Sequence, residues 1–164
     1  MKLNSTKDFP FSMETGWKAL HSPASLDVEP GSTVEVLSDT EWNTRAKGSD
    51  GRELSCNHYT ASFDEAQHRV TIEINSDKKV NHDFIYLSLS EASGGVSLNV
   101  EMDIHTGVHL IARTLGNLFA KPMQEIIMRH IFHNFEALCS GKETKTMSQE
   151  ELSSQAGHFF HGKE

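Results

Sequence analysis

Cysteine is scarce in this chain, and its scarcity removes two kinds of architecture. Among 164 residues only Cys56 and Cys139 carry a thiol. They show no CxxC spacing, so neither a zinc-held fold nor a disulfide framework is indicated, and both read as unpaired structural thiols. Long apolar runs are missing as well. No stretch approaches the roughly 18–20 apolar residues of a spanning helix, and the opening MKLNSTKDFPFS lacks the apolar core of a signal peptide. A cytoplasmic chain with no stable membrane insertion is therefore expected. Positive charge is short too: 15 Lys and Arg, scattered along the chain, stand against 23 Asp and Glu, a formal charge of -8. Phosphate binding rests on clustered cations, so the composition argues against nucleic acid and for a small apolar or neutral partner. It leaves the oligomeric state open.

The length suits one domain with a substantial core and is too short for two. A boundary falls near Gly141, a helix stop. Residues 1–140 are expected to form the domain and residues 141–164 a polar, disordered tail. Within that tail MSQEEL carries a capping box from Ser148 to Glu151 and a staple from Met147 to Leu152, but a helix of about eight residues is marginal by itself.

What the chain does contain is a long amphipathic segment from Val108 to Cys139, clearest after Pro122. At 100° per residue, Glu125, Arg129, His133 and Glu136 share one narrow side, and Phe119, Met123, Ile126, Ile127, Ile131, Phe135 and Leu138 fill a wide apolar arc. So small a polar face calls for a curved partner that wraps around the helix. Gln124, His130 and Asn134 interrupt the arc, and Asn134 lies well inside it, where a buried amide needs a hydrogen-bond partner or a ligand.

Upstream the pattern is strand-like. Residues 2–9 read as a first strand, and FSMETGWKAL as a helix with Ser12 at its N-cap and Met13, Trp17 and Leu20 on one face. Six extended segments follow at hairpin spacing, 32–38, 41–47, 52–63, 68–76, 82–91 and 95–105, an antiparallel meander. In the last, Val96, Leu98, Val100, Met102 and Ile104 alternate with polar residues, one face buried and one wet. Carrying that parity back through two-residue turns at Ser93-Gly94, Lys78-Lys79, Glu65-Ala66 and Asp50-Gly51 places Leu89, Leu87, Ile85, Val70, Ile72, Ile74, Asn57, Tyr59, Ala61 and Phe63 on the same inner face. It adds Trp42, Thr44 and Ala46, with Thr44 beside Asn57 and Trp42 beside Tyr59. Glu35 resists assignment: a tight turn at Asp39-Thr40 turns it inward, and burial of Val34 and Val36 turns it outward. Polar groups on both sheet and helix describe either a lined cavity or an ordinary core whose polar residues satisfy one another.

The order of a strand, a helix with FSMETGWKAL, a short Pro-containing link, PGSTVEVL, the meander, and TGVHLIARTLGNLFAKPMQEIIMRHIFHNFEAL resembles the START/Bet v 1-like superfamily, also called SRPBCC or polyketide cyclase-like. The resemblance covers about residues 2–139 and rests on Trp17, Leu20, Pro30-Gly31 and the closing helical segment. It implies an α+β helix-grip fold, a curved antiparallel sheet wrapped around a long C-terminal helix, enclosing a cavity for lipids, sterols, polyketides or similar molecules. It fixes fold better than function and carries no family-wide catalytic motif.

The function expected is binding of a small hydrophobic or amphipathic ligand, lipid-like or polyketide-like, between sheet and helix, with no cofactor. An enzyme of the cyclase or dehydratase kind and a protein-interaction module with a vestigial cavity are the alternatives. The candidate ligand-binding residues on the sheet are Thr44, Asn57, Tyr59, Phe63, Ile72, Leu87, Val100 and Met102. On the helix they are Met123, Ile127, Ile131 and Asn134, the last expected to share hydrogen bonds with Thr44, Asn57 and Tyr59. No catalytic residue is assigned; acid-base work in the cavity falls to Tyr59, with Glu35 if it faces inward. Cys56 and His58 share the outward face and do not form a nucleophilic pair in the cavity. His130, His133 and Glu136, like His105 and His109, lack a metal-site spacing such as HExxH, and no metal is expected.

Overall fold

Strict alternation in Gly95–Asp103 buries Val96, Leu98, Val100 and Met102 at 2 % exposure or less, and the rest of the sheet takes its facing from that strand. The structure, a computed structural model, describes residues 2–47, 50–76, 83–104 and 121–161. In chain order the elements are β1 (Lys2–Phe9), α1 (Met13–Ala19), a 3-10 turn (Pro23–Leu26), β2 (Thr33–Val36), β3 (Glu41–Lys47), β4 (Glu53–Asp64), β5 (Arg69–Ser76), β6 (Asp83–Ala92), β7 (Gly95–Asp103), α2 (Lys121–Cys139) and α3 (Gln149–His161). The seven strands make one antiparallel sheet in the order β1-β7-β6-β5-β4-β3-β2, so the first strand closes against the last and β2 forms the far edge. The sheet curves around α2, the helix-grip arrangement.

The registers match the parity chain. Leu89 pairs with Leu98, Leu87 with Val100 and Ile85 with Met102 across β6 and β7, which meet at a two-residue turn where Gly94 takes φ +79°. Thr44 pairs with Asn57 and Trp42 with Tyr59 across β3 and β4. Beside the expected Asp50-Gly51 turn the β3–β4 register shifts between Ala46 and Lys47, so that Lys47 pairs with Glu53, and the next turn differs from expectation as well. Asp64 pairs with Arg69, so the β4–β5 connection runs from Glu65 to His68 rather than through two residues, with His68 at φ 51°. An even change in loop length preserves facing, which is why Phe63, Ala61 and Tyr59 keep the predicted side. The turn expected at Lys78-Lys79 lies outside the described residues. Glu35 pairs with Asn43 on the outer face, so the inward option for Glu35 is ruled out, and Val36, which pairs with Trp42, is nevertheless 63 % exposed at the sheet edge.

Helix α1 starts where Ser12 caps it, its hydroxyl accepting from the Thr15 amide at 3.1 Å. It buries Trp17 and, at its C-cap, Leu20. Helix α2 lays Ile126, Ile127, Ile131 and Phe135 into the sheet, each 3 % exposed or less; a buried side chain of this kind contributes about 1.5–3 kcal/mol. Phe135 meets Phe9 of β1 edge to face at 4.9 Å, which ties the helix to the strand that closes the sheet. The part of the amphipathic segment at residues 105–120 lies outside the described residues.

The tail departs from the disorder expected of it. Residues 149–161 form α3, and Met147 and Leu152 are 5 % and 1 % exposed, so the staple read from MSQEEL is spent on the domain. Burial against existing structure supplies the stability a short helix lacks alone.

Candidate functional site

Three inward polar residues, Thr44, Asn57 and Tyr59, come together at the β3–β4 end of the inner face, all 2 % exposed or less. Trp42 stacks on Tyr59 with ring centroids 5.2 Å apart, fixing the phenol. What they surround is Glu29, a residue the periodicity of the sequence did not single out. It stands on the connection between the 3-10 turn and β2, and is 3 % exposed. Its Oε1 accepts from Asn57 Nδ2 at 2.5 Å and from the Tyr59 hydroxyl at 2.9 Å. Ser32 donates to the Glu29 main-chain carbonyl at 2.5 Å and holds the loop. Glu29 Oε2 and Thr44 Oγ1 are buried without a formed hydrogen bond, although the Thr44 hydroxyl lies close enough to favour charge on the carboxylate.

Burial pushes the Glu29 carboxyl above its ordinary value, and the polar groups of Thr44, Asn57, Tyr59 and Ser32 around it offset this only in part. Among the described residues, the groups that shift it include no cation. Tyr59 is held well above the usual phenol range, first by burial, then by the charge of Glu29 and its hydrogen bond, and by Asp83 at the start of β6. The site is thus an acid and a phenol that both favour their protonated forms, set in an apolar face.

Asn134 does not join this group, contrary to expectation. Its Nδ2 donates to the Leu26 carbonyl at 3.1 Å and to the Lys145 carbonyl at 2.9 Å, and its Oδ1 accepts from the Lys145 amide at 2.8 Å. One turn earlier on α2, His130 Nε2 lies 2.8 Å from Asp27 Oδ2, both side chains buried, and the same carboxylate oxygen accepts from the Met147 amide at 3.1 Å. The Met147 carbonyl in turn accepts from the Gly31 amide at 2.8 Å. Met147 therefore holds the loop two residues before Glu29 and two residues after it. Gln149 extends the clasp by donating to the Lys47 carbonyl at 2.8 Å.

The apolar candidates Ile72, Leu87, Val100, Met102, Ile127 and Ile131 are all buried on the facing surfaces of sheet and α2. The Met123 side chain lies outside the described residues. Phe63, four residues beyond Tyr59 on β4, is only partly buried and packs against Trp17 and His21, so it belongs to the α1 end of the sheet. His58 faces outward to Asn43 at 2.8 Å and Glu41 at 3.5 Å. Burial and Glu136 push the Cys139 thiol up to about 11, which makes it a poor nucleophile. Among the described residues no three His, Cys, Asp or Glu side chains come together as a metal site, and no helix is long and apolar enough to cross a membrane. His105 and His109 lie outside the described residues.

Glu29 was missed because irregular loops carry no period. The one signal was LDVEPG, two acids flanking a valine between a buried leucine and a Pro-Gly corner.

No family model matches the chain, and no curated protein matches it. Solved structures do. TTHA0849 from Thermus thermophilus superposes with a TM-score of 0.61 at 13 % identity, over 86 % of this chain and 98 % of that one. Ara h 8.0201 gives 0.54 at 15 % identity over 87 % and 99 %. DynU16, a protein of the dynemicin biosynthetic locus, gives 0.53 at 13 % identity over 88 % of this chain and 49 % of its own length. The chain has the helix-grip fold that these structures share. At these identities the likeness establishes the fold alone and leaves activity to the site.

Proposed function

We propose that residues 1–140 form a binding domain for a small apolar or amphipathic molecule held between the sheet and α2. The observation that carries this reading is the Glu29 group. An acid with an orphaned oxygen, deep in an apolar face, costs stability unless a further partner repays its burial. Such a partner would lay its polar end against Glu29, Tyr59, Asn57 and Thr44, and its apolar body along Ile72, Leu87, Val100, Met102, Ile127 and Ile131. Ara h 8.0201 and DynU16 share the fold, which supports a cavity-based reading by analogy. The acidic balance of the chain supports a ligand other than nucleic acid, and the composition supports a cytoplasmic setting. Native mass spectrometry of the protein purified from its own host tests the proposal. A retained small-molecule mass, lost in a Leu87→Trp variant that crowds the inner face, is expected; a bare chain in both preparations contradicts it.

One observation favours a second reading, an enzyme of the cyclase or dehydratase kind. Glu29 and Tyr59 lie 2.9 Å apart as a buried pair whose burial raises both above their ordinary values, the direction a general acid requires. Turnover abolished by Tyr59→Phe in a folded protein would support it.

A further inference from the structure

We propose that Glu29 and Thr44 form a hydrogen-bond donor pair for the carbonyl oxygen of an uncharged ligand. This rests on the binding reading above and adds the chemistry of the ligand's polar end. The division of labour between the two oxygens of Glu29 is the starting point. Oε1 is committed twice, to Asn57 Nδ2 and to the Tyr59 hydroxyl, while Oε2 has no partner. A proton on this carboxyl therefore resides on Oε2, where it makes an O–H donor beside the Thr44 hydroxyl with no formed bond. Thr44 Oγ1 is the second buried hydroxyl at the site without a formed bond. A carbonyl oxygen has two lone pairs, enough to accept from both.

The charges around the site argue for the neutral acid. Tyr59 on β4 adds no positive charge, the nearby Asp27 on the same loop is occupied by His130 of α2, and among the described residues the groups that shift Glu29 include no Lys or Arg. A carboxylate without a counter-charge in this setting is costlier than a carboxylic acid, and burial shifts the equilibrium accordingly. Importing a cationic ligand would remove two charges from water instead of none.

The probe is propionyl-dimethylaminonaphthalene, an uncharged ketone dye whose emission moves to the red on hydrogen bonding, compared with dimethylaminonaphthalene, which lacks the ketone. The wild-type protein should prefer the ketone and shift its emission. Glu29→Leu should weaken the ketone dye about tenfold, the worth of one buried hydrogen bond, and leave the carbonyl-free dye unchanged. Glu29→Gln places an N–H donor where the acid has Oε2–H, and should keep the preference as pH rises while the wild type loses it. A ketone preference indifferent to Glu29→Leu overturns the proposal, as does tighter wild-type binding of a trimethylammonium analogue. If wild type binds both dyes equally, the binding reading stands and the donor pair falls. If it binds neither, both fall.

Discussion

Asn134 grips Lys145 through both ends of its amide, donating to the Lys145 carbonyl at 2.9 Å and accepting from its main-chain nitrogen at 2.8 Å. A side chain that mimics a backbone edge in this way holds an extended segment as a neighbouring strand would. Replacing it by leucine leaves the Leu26 carbonyl deep in the core without this donor, and loosens the clasp at Lys145. Asn134→Leu should cost about 1–3 kcal/mol, the penalty for orphaned buried polar groups. Urea denaturation reads the loss, and limited proteolysis should cut first between Lys142 and Met147. Unchanged stability with an intact tail would show that the clasp contributes nothing.

The acid at the site makes a separate prediction about pH. A carboxyl whose folded value lies above its ordinary 4.5 binds its proton more tightly folded than unfolded. Stability is then fully present below 4.5 and is lost as pH rises through the raised folded value. Glu29→Gln does not titrate. Its stability relative to wild type should climb with pH across that interval, at no more than about 1.4 kcal/mol per pH unit, one proton's worth. Parallel pH profiles of the two proteins would contradict a buried, proton-holding Glu29.

Two adjacent glycines at the β6–β7 turn should respond differently. At Gly94, φ is +79° and the space beside it is open, so alanine meets only backbone strain of about 1–2 kcal/mol. At Gly95 a Cβ would overlap the Phe9 carbonyl where β1 ends, and backbone cannot yield as a side-chain tip does. Gly95→Ala should cost about 3 kcal/mol, the upper range for overpacking, by loosening β1 from β7. Thermal melts of the two variants check the order; equal losses would mean that the β1 closure is soft.

The sheet was legible because its signal is periodic. A facing established at Val96 and Val100 propagates through every even turn, so that an error of two residues at Glu65–His68 left Tyr59 and Asn57 on the right side. Thr44, Asn57 and Tyr59 were readable as a polar group on the inner face for the same reason. Their centre was not, because Glu29 sits in a loop whose direction no repeat encodes. Asn134 was recognisable as a buried amide in need of partners, yet those partners, the Leu26 and Lys145 backbones, lie in segments without pattern, one of them in a tail too short to predict alone. The orientation of Glu35 hung on a single loop length, the kind of detail that two competing local preferences leave undecided.

Methyl NMR during titration with the ketone dye tests the central claim most directly, because it reports where an apolar molecule goes rather than whether one sticks. The account predicts shifts at Ile72, Leu87, Val100, Met102, Ile127 and Ile131, on the facing surfaces of sheet and α2, and none at Val36 or Leu37, the large apolar side chains exposed at the β2 edge. Shifts confined to Val36 and Leu37, with the inner-face methyls unmoved, would contradict it.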